Sequence, residues 1–372
     1  MNNELRKVLL HDRFLSLIAE KIETGKRISI SDGLKLYESH NLSALALLAT
    51  EKRKQINGKF VFFNKNFHIE PSNICIHNCR FCSYRRNVND TDSWDYNISD
   101  MLDICKKYYG KDVSEVHIVG GVHPNRNLDF YCDLIVEIKK ILPDIHVKAF
   151  TAVELDYMIG KANLTAEAGL LKLKEAGLNS IPGGGAEIFD RKVRKQICHQ
   201  KSDANTWLKI HKTAHNLGIA SNASILFGHV ETYMHRLKHL ELLRNLQDQT
   251  HGFNAFIPLK YKKNNNAISE TGEVNDIEVL KNFAVSRIFL DNIPHIKSYW
   301  PMLGKNIAGF ALHFGADDMD GTIDDSTKIY SMAGAEEKNP SMQIDEMVRF
   351  IKKTGFIPVE RDSVYNKLNV FE

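Results

Sequence analysis

Cysteine is scarce, with six residues in a chain of 372, and so few cannot form the disulfide framework of a secreted scaffold. Long apolar runs are absent as well. The longest, around Ala44–Ala49, is far too short to cross a bilayer. Neither sign of charge dominates: 49 Lys and Arg against 46 Asp and Glu leave a formal charge of +3, which implies no nucleic-acid or membrane partner. No low-complexity stretch or glycine–serine linker divides the chain. Met1–Glu23 mixes Arg6, Lys7, Asp12, Arg13 and Glu20 among short apolar pieces, unlike a signal peptide or a membrane span. With 43% apolar residues a large core can be buried, and the expectation is a globular protein of the reducing cytoplasm.

What is present is an alternation of short β-rich runs with longer helical patterns. Strands are expected at His68–Pro71, Glu115–Val119, His146–Thr151, Ser180–Pro182, Ile219–Phe227, Asn254–Leu259 and His295–Trp300, with a weaker eighth near Phe314–Asp317. Leu128–Leu142 and Thr232–Gln249 carry the clearest helical spacing. Ser99 and Asp203 stand at helix starts, and Gly110, Gly177 and Gly218 just past helix ends. Eight such units favour an α/β fold closed as a (β/α)8 TIM-type barrel; an open doubly wound sheet would show the same alternation. The barrel is expected over residues 58–335. A helical N-terminal extension (1–57) and a short closing helix and strand (336–372; Met342–Lys353, Phe356–Val359) flank it.

Three of the six cysteines stand together in Cys75-Ile-His-Asn-Cys79-Arg-Phe-Cys82. This run directly follows the first expected strand. It therefore falls in the first βα loop, at the end of a barrel where active sites sit. Three soft ligands and no fourth are one short of the four that normally hold an iron–sulfur cluster or close a structural zinc site. Zinc would need His77, which would crowd the same loop, or Cys105, which reads as a small core residue. An iron–sulfur centre with one position left for something other than protein is the favoured reading.

Further motifs lie at later strand ends. Val119-Gly120-Gly121-Val122-His123-Pro124 offers paired glycines for close backbone approach, or a simple strand-to-helix turn. Ile181-Pro-Gly183-Gly184-Gly185-Ala-Glu187-Ile-Phe189 places three glycines and a carboxylate at the fourth strand end, where Glu187 is suited to ribose hydroxyls. Arg194 is either a partner for a ligand carboxylate or part of a solvated basic stretch. His68 and Glu70 alternate with Ile69 and so share one face. His229 lies in Gly228-His-Val-Glu-Thr232, and Asp317 and Asp320 in Asp317-Asp-Met-Asp-Gly-Thr322. These five are the candidate catalytic residues, although a lone histidine is more often structural and the aspartates would equally make a polar turn.

Cys-x3-Cys-x2-Cys with Phe81 before the last cysteine resembles the signature of the radical S-adenosylmethionine enzymes. The resemblance implies that Cys75, Cys79 and Cys82 bind three irons of a 4Fe-4S cluster whose fourth iron chelates S-adenosylmethionine. It further implies that the turn at Gly120 and Gly121 meets the amino group of that molecule, and that Phe81, Tyr84, Glu187 and Arg194 lie around it. The runs His68–Cys75, Lys148–Glu154, Ile181–Phe189, Gly228–Thr232, Gly252–Leu259 and Gly315–Thr322 resemble, more narrowly, the aminofutalosine synthase family of the futalosine route to menaquinone. Ser83-Tyr84 departs from the Ala-Phe expected there. That family adds the 5′-deoxyadenosyl radical to 3-[(1-carboxyvinyl)oxy]benzoate, with aryl migration and loss of a carboxylate, giving 6-amino-6-deoxyfutalosine. An external one-electron reductant such as flavodoxin or ferredoxin is implied. Related radical enzymes, the cyclic dehypoxanthine futalosine and deazaflavin cofactor synthases, abstract hydrogen instead. An iron–sulfur electron carrier or a zinc-stapled binding protein is the alternative of another class.

Overall fold

The computed structural model describes residues 12–321, 328–335 and 340–372. Thr322, parts of the expected N-terminal extension (1–11) and part of the expected C-terminal segment (336–339) lie outside the described residues. Three helices come first, Arg13–Glu23, Ile30–Glu38 and Leu42–Asn57. Each starts where a side-chain oxygen, from Asp12, Ser29 or Asn41, takes a first-turn N–H. The third packs its apolar face on the helix Asp276–Phe289.

Strand β1 (Phe60–Asn64) runs through Lys65 into β2 (Asn66–Ile69). From β2 a parallel sheet proceeds in sequence order: β3 (Glu115–Ile118), β4 (His146–Ala149), β5 (Ser180–Ile181), β6 (Ala220–Phe227), β7 (Phe253–Lys260) and β8 (His295–Ile296). Strand β9 (Asp318–Gly321) touches β8 through the bridge Lys297–Asp318 and pairs with β1 at Phe62–Asp318 and Asn64–Gly321. The kinked first strand thus serves both edges, its β1 half pairing with β9 and its β2 half with β3. The ring closes tightly. A Cβ at Gly321 would lie 1.7 Å from Asn66 Oδ1, so glycine is required where β9 meets the kink. The architecture is α/β, a (β/α)8-type barrel.

The eighth strand is displaced from its expected place. A 3-10 turn, Leu312–Phe314, and Gly315 at φ +96° occupy the stretch near Phe314–Asp317, and β9 begins at Asp318. Asn97, not Ser99, caps the helix Ile98–Lys106, whereas Asp203 does cap Ala204–Asn216. Strand β10 (Ile357–Arg361) extends β1 in parallel, and β11 (Lys367–Val370) returns antiparallel beside it. The C-terminal segment is therefore part of the sheet that contains β1.

Alternation along the strands turns His68 and Glu70, His117 and Val119, Ser224 and Leu226, Ile257 and Leu259, and Asp320 into the barrel interior, and Tyr299, past the end of β8, joins them on the cavity wall. The apolar residues of opposite parity, such as Phe67, Ile69, Val116 and Ile118, are buried in the core shared with the helices.

Candidate active site

A cavity of about 290 Å³ opens at the C-terminal ends of the strands. Its wall includes Cys75, Cys79 and Cys82, all free thiols. The loop that carries them is braced on three sides. Gly121 N–H donates to Ser72 O at 2.7 Å and Ile76 N–H to Val122 O at 3.0 Å. Arg80 N–H donates to Ile197 O at 2.8 Å, and Asn78 N–H to Gln200 Oε1 at 2.6 Å. Ala267 N–H donates to Arg80 O at 2.7 Å. Val122 N–H also donates to Cys75 Sγ at 3.3 Å.

The diglycine turn is needed for this contact. A Cβ at Gly121 would lie 2.2 Å from Ile74 O, and one at Gly120 2.7 Å from Ser72 O. Their missing side chains make room for the cysteine loop itself. The triple glycine behaves in the same way: Cβ atoms at Gly183, Gly184 and Gly185 would collide with the Asn222–Ala223 backbone, Thr151 and Val153. In both motifs the close approach is protein against protein, while the opposite side of each lines the cavity.

His68, Glu70, Phe81, Tyr84, Gly120, Gly121, Glu187 and Asp320 join the three cysteines around this space. Three expected residues do not. Arg194 is buried beneath the glycine loop, where its guanidinium donates to the carbonyls of Ala186 (2.5 Å), Ile188 (3.3 Å), Gly185 and Ser202. It shapes the loop that carries Glu187 and does not face the cavity. His229 is turned into its own loop: its Nε2 lies 3.0 Å from Leu226 O, and its Nδ1 lies beside the Glu231 carboxylate. Asp317 precedes β9 and faces the opposite end of the barrel, bound by His295 Nδ1 (2.6 Å), Asn57 Nδ2 (2.7 Å) and Ile296 N–H (2.7 Å). Its misplacement follows from the displaced eighth strand.

Three other cavity residues were not picked out by sequence reading. Lys201 lies 2.5 Å from Glu187 Oε1 and over the Phe81 ring at 5.2 Å. Burial alone would depress its pKa, but Cys79, Glu187 and Cys198 around it hold the ammonium well above its usual range. No pattern in His199-Gln-Lys-Ser announces it. Glu154 caps the helix Ala152–Lys161 through Thr151 and accepts Gly120 N–H at 3.2 Å. Burial lifts its carboxyl to about 7, against hydrogen bonds from Thr151 and Gly120. The capping-box spacing Thr151-x-x-Glu154 was its signal. His117 follows from the Glu115-Val-His-Ile-Val119 alternation. Glu187 and Asp320 share a further property: both are non-glycine residues at positive φ, +45° and +66°, strain of the kind that collects at functional sites.

The donor set suits a multi-metal group. Cys75, Cys79 and Cys82 all line the one cavity, and cysteine thiolates are the usual ligands of iron–sulfur clusters. Residues 69–243 match the radical SAM superfamily, and residues 250–372 the CofH/MqnC C-terminal region. Across 98% of this chain and 98% of the relative, the sequence is 40% identical to aminodeoxyfutalosine synthase of Thermus thermophilus. The chain belongs to the aminodeoxyfutalosine synthase family of radical SAM enzymes. Membership of the radical SAM superfamily implies a 4Fe-4S cluster and S-adenosylmethionine. Cyclic dehypoxanthine futalosine synthase of Streptomyces coelicolor is more distant, 31% identical over 96% of this chain and 90% of its own. The crystal structure of methylornithine synthase shares the fold, with a TM-score of 0.73 over 92% of this chain and 97% of that one at 17% identity. No helix among the described residues is long and apolar enough to cross a membrane.

Proposed function

We propose that this chain joins the 5′-deoxyadenosyl group of S-adenosylmethionine to the enolpyruvyl benzoate. The aryl group shifts from oxygen to carbon, and the former enolpyruvyl carboxylate leaves as carbon dioxide, or with water as bicarbonate, releasing a proton and the electron that started the reaction; 6-amino-6-deoxyfutalosine and methionine are the other products. The observation that carries this reading is the near full-length identity to aminodeoxyfutalosine synthase, joined to three thiols on the wall of a barrel cavity. Cys75, Cys79 and Cys82 would each hold one iron of the cluster. When bound, the cluster supplies the electron that splits S-adenosylmethionine into methionine and the adenosyl radical, and it draws that electron from a reductant of the flavodoxin or ferredoxin kind in the cytoplasm.

The chain's own residues bind, orient and exclude water. The carbonyls at Gly120 and Gly121, with the Glu154 carboxylate beside them, are placed for the amino group of S-adenosylmethionine. The Lys201 ammonium, beside the cysteine loop, is placed for its carboxylate, and Glu187 for its ribose. His68, Glu70 and Asp320, on the same cavity, border the substrate. Apolar Leu226, Ile257 and Leu259 and the ring of Tyr299 wall the remainder. Such walls keep water from the radical and fix the alkene near the adenosyl 5′ carbon; positioning of this kind contributes roughly 7–11 kcal/mol. Domain roles follow the same division: 58–335 forms the catalytic barrel, flanked by the 1–57 and 336–372 segments.

Incubating the anaerobically reconstituted chain with reductant, S-adenosylmethionine and the enolpyruvyl benzoate tests the reading. An adenosyl adduct with the mass of the amino-deoxyfutalosine is expected. Free 5′-deoxyadenosine without adduct would favour hydrogen abstraction and reject it.

A further inference from the structure

His68, His117 and Asp320 line the cavity, and a layer of paired charges is buried next to them. His68, His117 and Lys148 stand in one register across β2, β3 and β4. Lys148 Nζ lies 2.6 Å from Glu115 Oε1, and Lys297 Nζ 2.5 Å from Asp320 Oδ1. Burial opposes ionisation of Asp320, yet Lys297 and Lys148 hold its carboxyl down at about 2. The rings of His68 and His117 meet edge to face, 4.7 Å apart.

His117 differs from these neighbours. It lines the cavity, yet its imidazole makes no hydrogen bond to any described residue, and its Nε2 is fully shielded. Buried polar groups are nearly always satisfied, so an inward imidazole without a partner marks a place where a ligand supplies one. Burial, with His68 and Lys148 beside it, keeps the ring neutral by holding its pKa well below the usual value. A neutral imidazole still carries one N–H to donate.

We propose that His117 recognises the carboxylate on the aromatic ring of the substrate. This deepens the function proposed above and rests on it. The reacting alkene must face the adenosyl 5′ carbon, on the side of the cysteine loop, Gly120–Gly121 and Glu187. The ring carboxylate is at the other end of the molecule. With the alkene held there, the aromatic ring lies between Leu226, Ile257, Leu259 and Tyr299 and the carboxylate reaches His117. Lys148 and Lys297 belong to the charged layer buried next to it, so the arriving anion meets a site with no net negative charge.

The test compares two ligands on the reconstituted holoenzyme with S-adenosylmethionine present. These are the enolpyruvyl benzoate and the enolpyruvyl phenyl ether that lacks the ring carboxylate. By calorimetric titration the wild type is expected to prefer the benzoate by roughly tenfold or more. His117→Phe is expected to erase that preference and to raise KM with kcat little changed, the signature of lost uniform binding. Its iron content and S-adenosylmethionine affinity should stay at the wild-type level. An undiminished preference in His117→Phe overturns the proposal, as does a wild type that binds both ligands alike. Should His117→Phe lose its cluster, His117→Leu, which also has no N–H to donate, decides: a reduced ratio between the ligands supports the proposal and an unchanged ratio overturns it. A wild type that prefers the benzoate but forms no adduct refutes the proposed reaction, whereas the binding ratio still judges His117.

Discussion

Lys201 and Glu187 face each other across 2.5 Å on the cavity wall, with the Phe81 ring beneath the same ammonium. The pair ties the segment after the helix Arg191–Cys198 to the triple-glycine loop. Gln200 of that segment, and Ile197 in the last turn of the helix, hold the backbone of the cysteine loop. One short stretch therefore sets the position of the thiols and of the charges beside them.

Removing one member of this pair leaves the other almost buried and unpaired. Lys201→Met should lower the free energy of unfolding by about 3–5 kcal/mol. The double variant Lys201→Met/Glu187→Gln should recover most of that loss while still binding S-adenosylmethionine weakly. Denaturant titrations of both variants check it, and a double variant no more stable than the single one would show that the two side chains are not coupled.

Arg194 is expected to act through the loop it supports. Arg194→Ala leaves the carbonyls at Ala186, Ile188 and Ser202 without their donor and should cost about 1–3 kcal/mol, with a rise in the dissociation constant for S-adenosylmethionine. Arg194→Lys should restore little, because a point ammonium cannot reproduce the planar fork that reaches several carbonyls. Full rescue by lysine would argue for a charge role instead.

The diglycine turn is a packing requirement that iron content reads directly. Gly121→Ala drives a Cβ against Ile74 O, so it should cost about 1–3 kcal/mol and reduce iron uptake on reconstitution. Gly160→Ala, in a helix with open space around it, should be neutral or stabilising by up to about 1 kcal/mol. Equal iron content in the two variants would contradict the account of the turn.

Glu154 gives the fold a pH signature. Its carboxyl rises from 4.5 to about 7 in the folded chain. The folded state thus keeps a proton that the unfolded chain has released between those values. Its contribution to stability is complete below about 4.5 and is lost as pH rises to 7. Wild type minus Glu154→Gln stability should therefore be larger at pH 5 than at pH 8 in urea titrations; the same difference at both would place the titration elsewhere.

Much of this was legible in the chain. The cysteine spacing, the strand that precedes it and the glycine runs are local signals, and the structure gathers the residues they named, apart from Arg194, His229 and Asp317, around one cavity. Those three failed for tertiary reasons. Arg194, on the helix Arg191–Cys198, found carbonyl partners in the glycine loop, His229 lies beside a carboxylate of its own loop, and Asp317 was carried to the far end of the barrel when β9 began four residues late. Lys201 had no pattern to announce it, since its role depends on which loop it folds against. Strand β1, the run Phe60-Val-Phe-Phe-Asn64, lacks the alternation that marks a strand with one buried face, because it is buried on both.

Adduct formation tests the central claim most directly. The reconstituted chain, given reductant, S-adenosylmethionine and the enolpyruvyl benzoate, should yield amino-deoxyfutalosine and methionine in equal amounts by mass spectrometry. A Cys79→Ala variant should bind little iron and yield neither. Methionine accompanied by 5′-deoxyadenosine in place of the adduct, or an adduct undiminished in Cys79→Ala, would contradict the account.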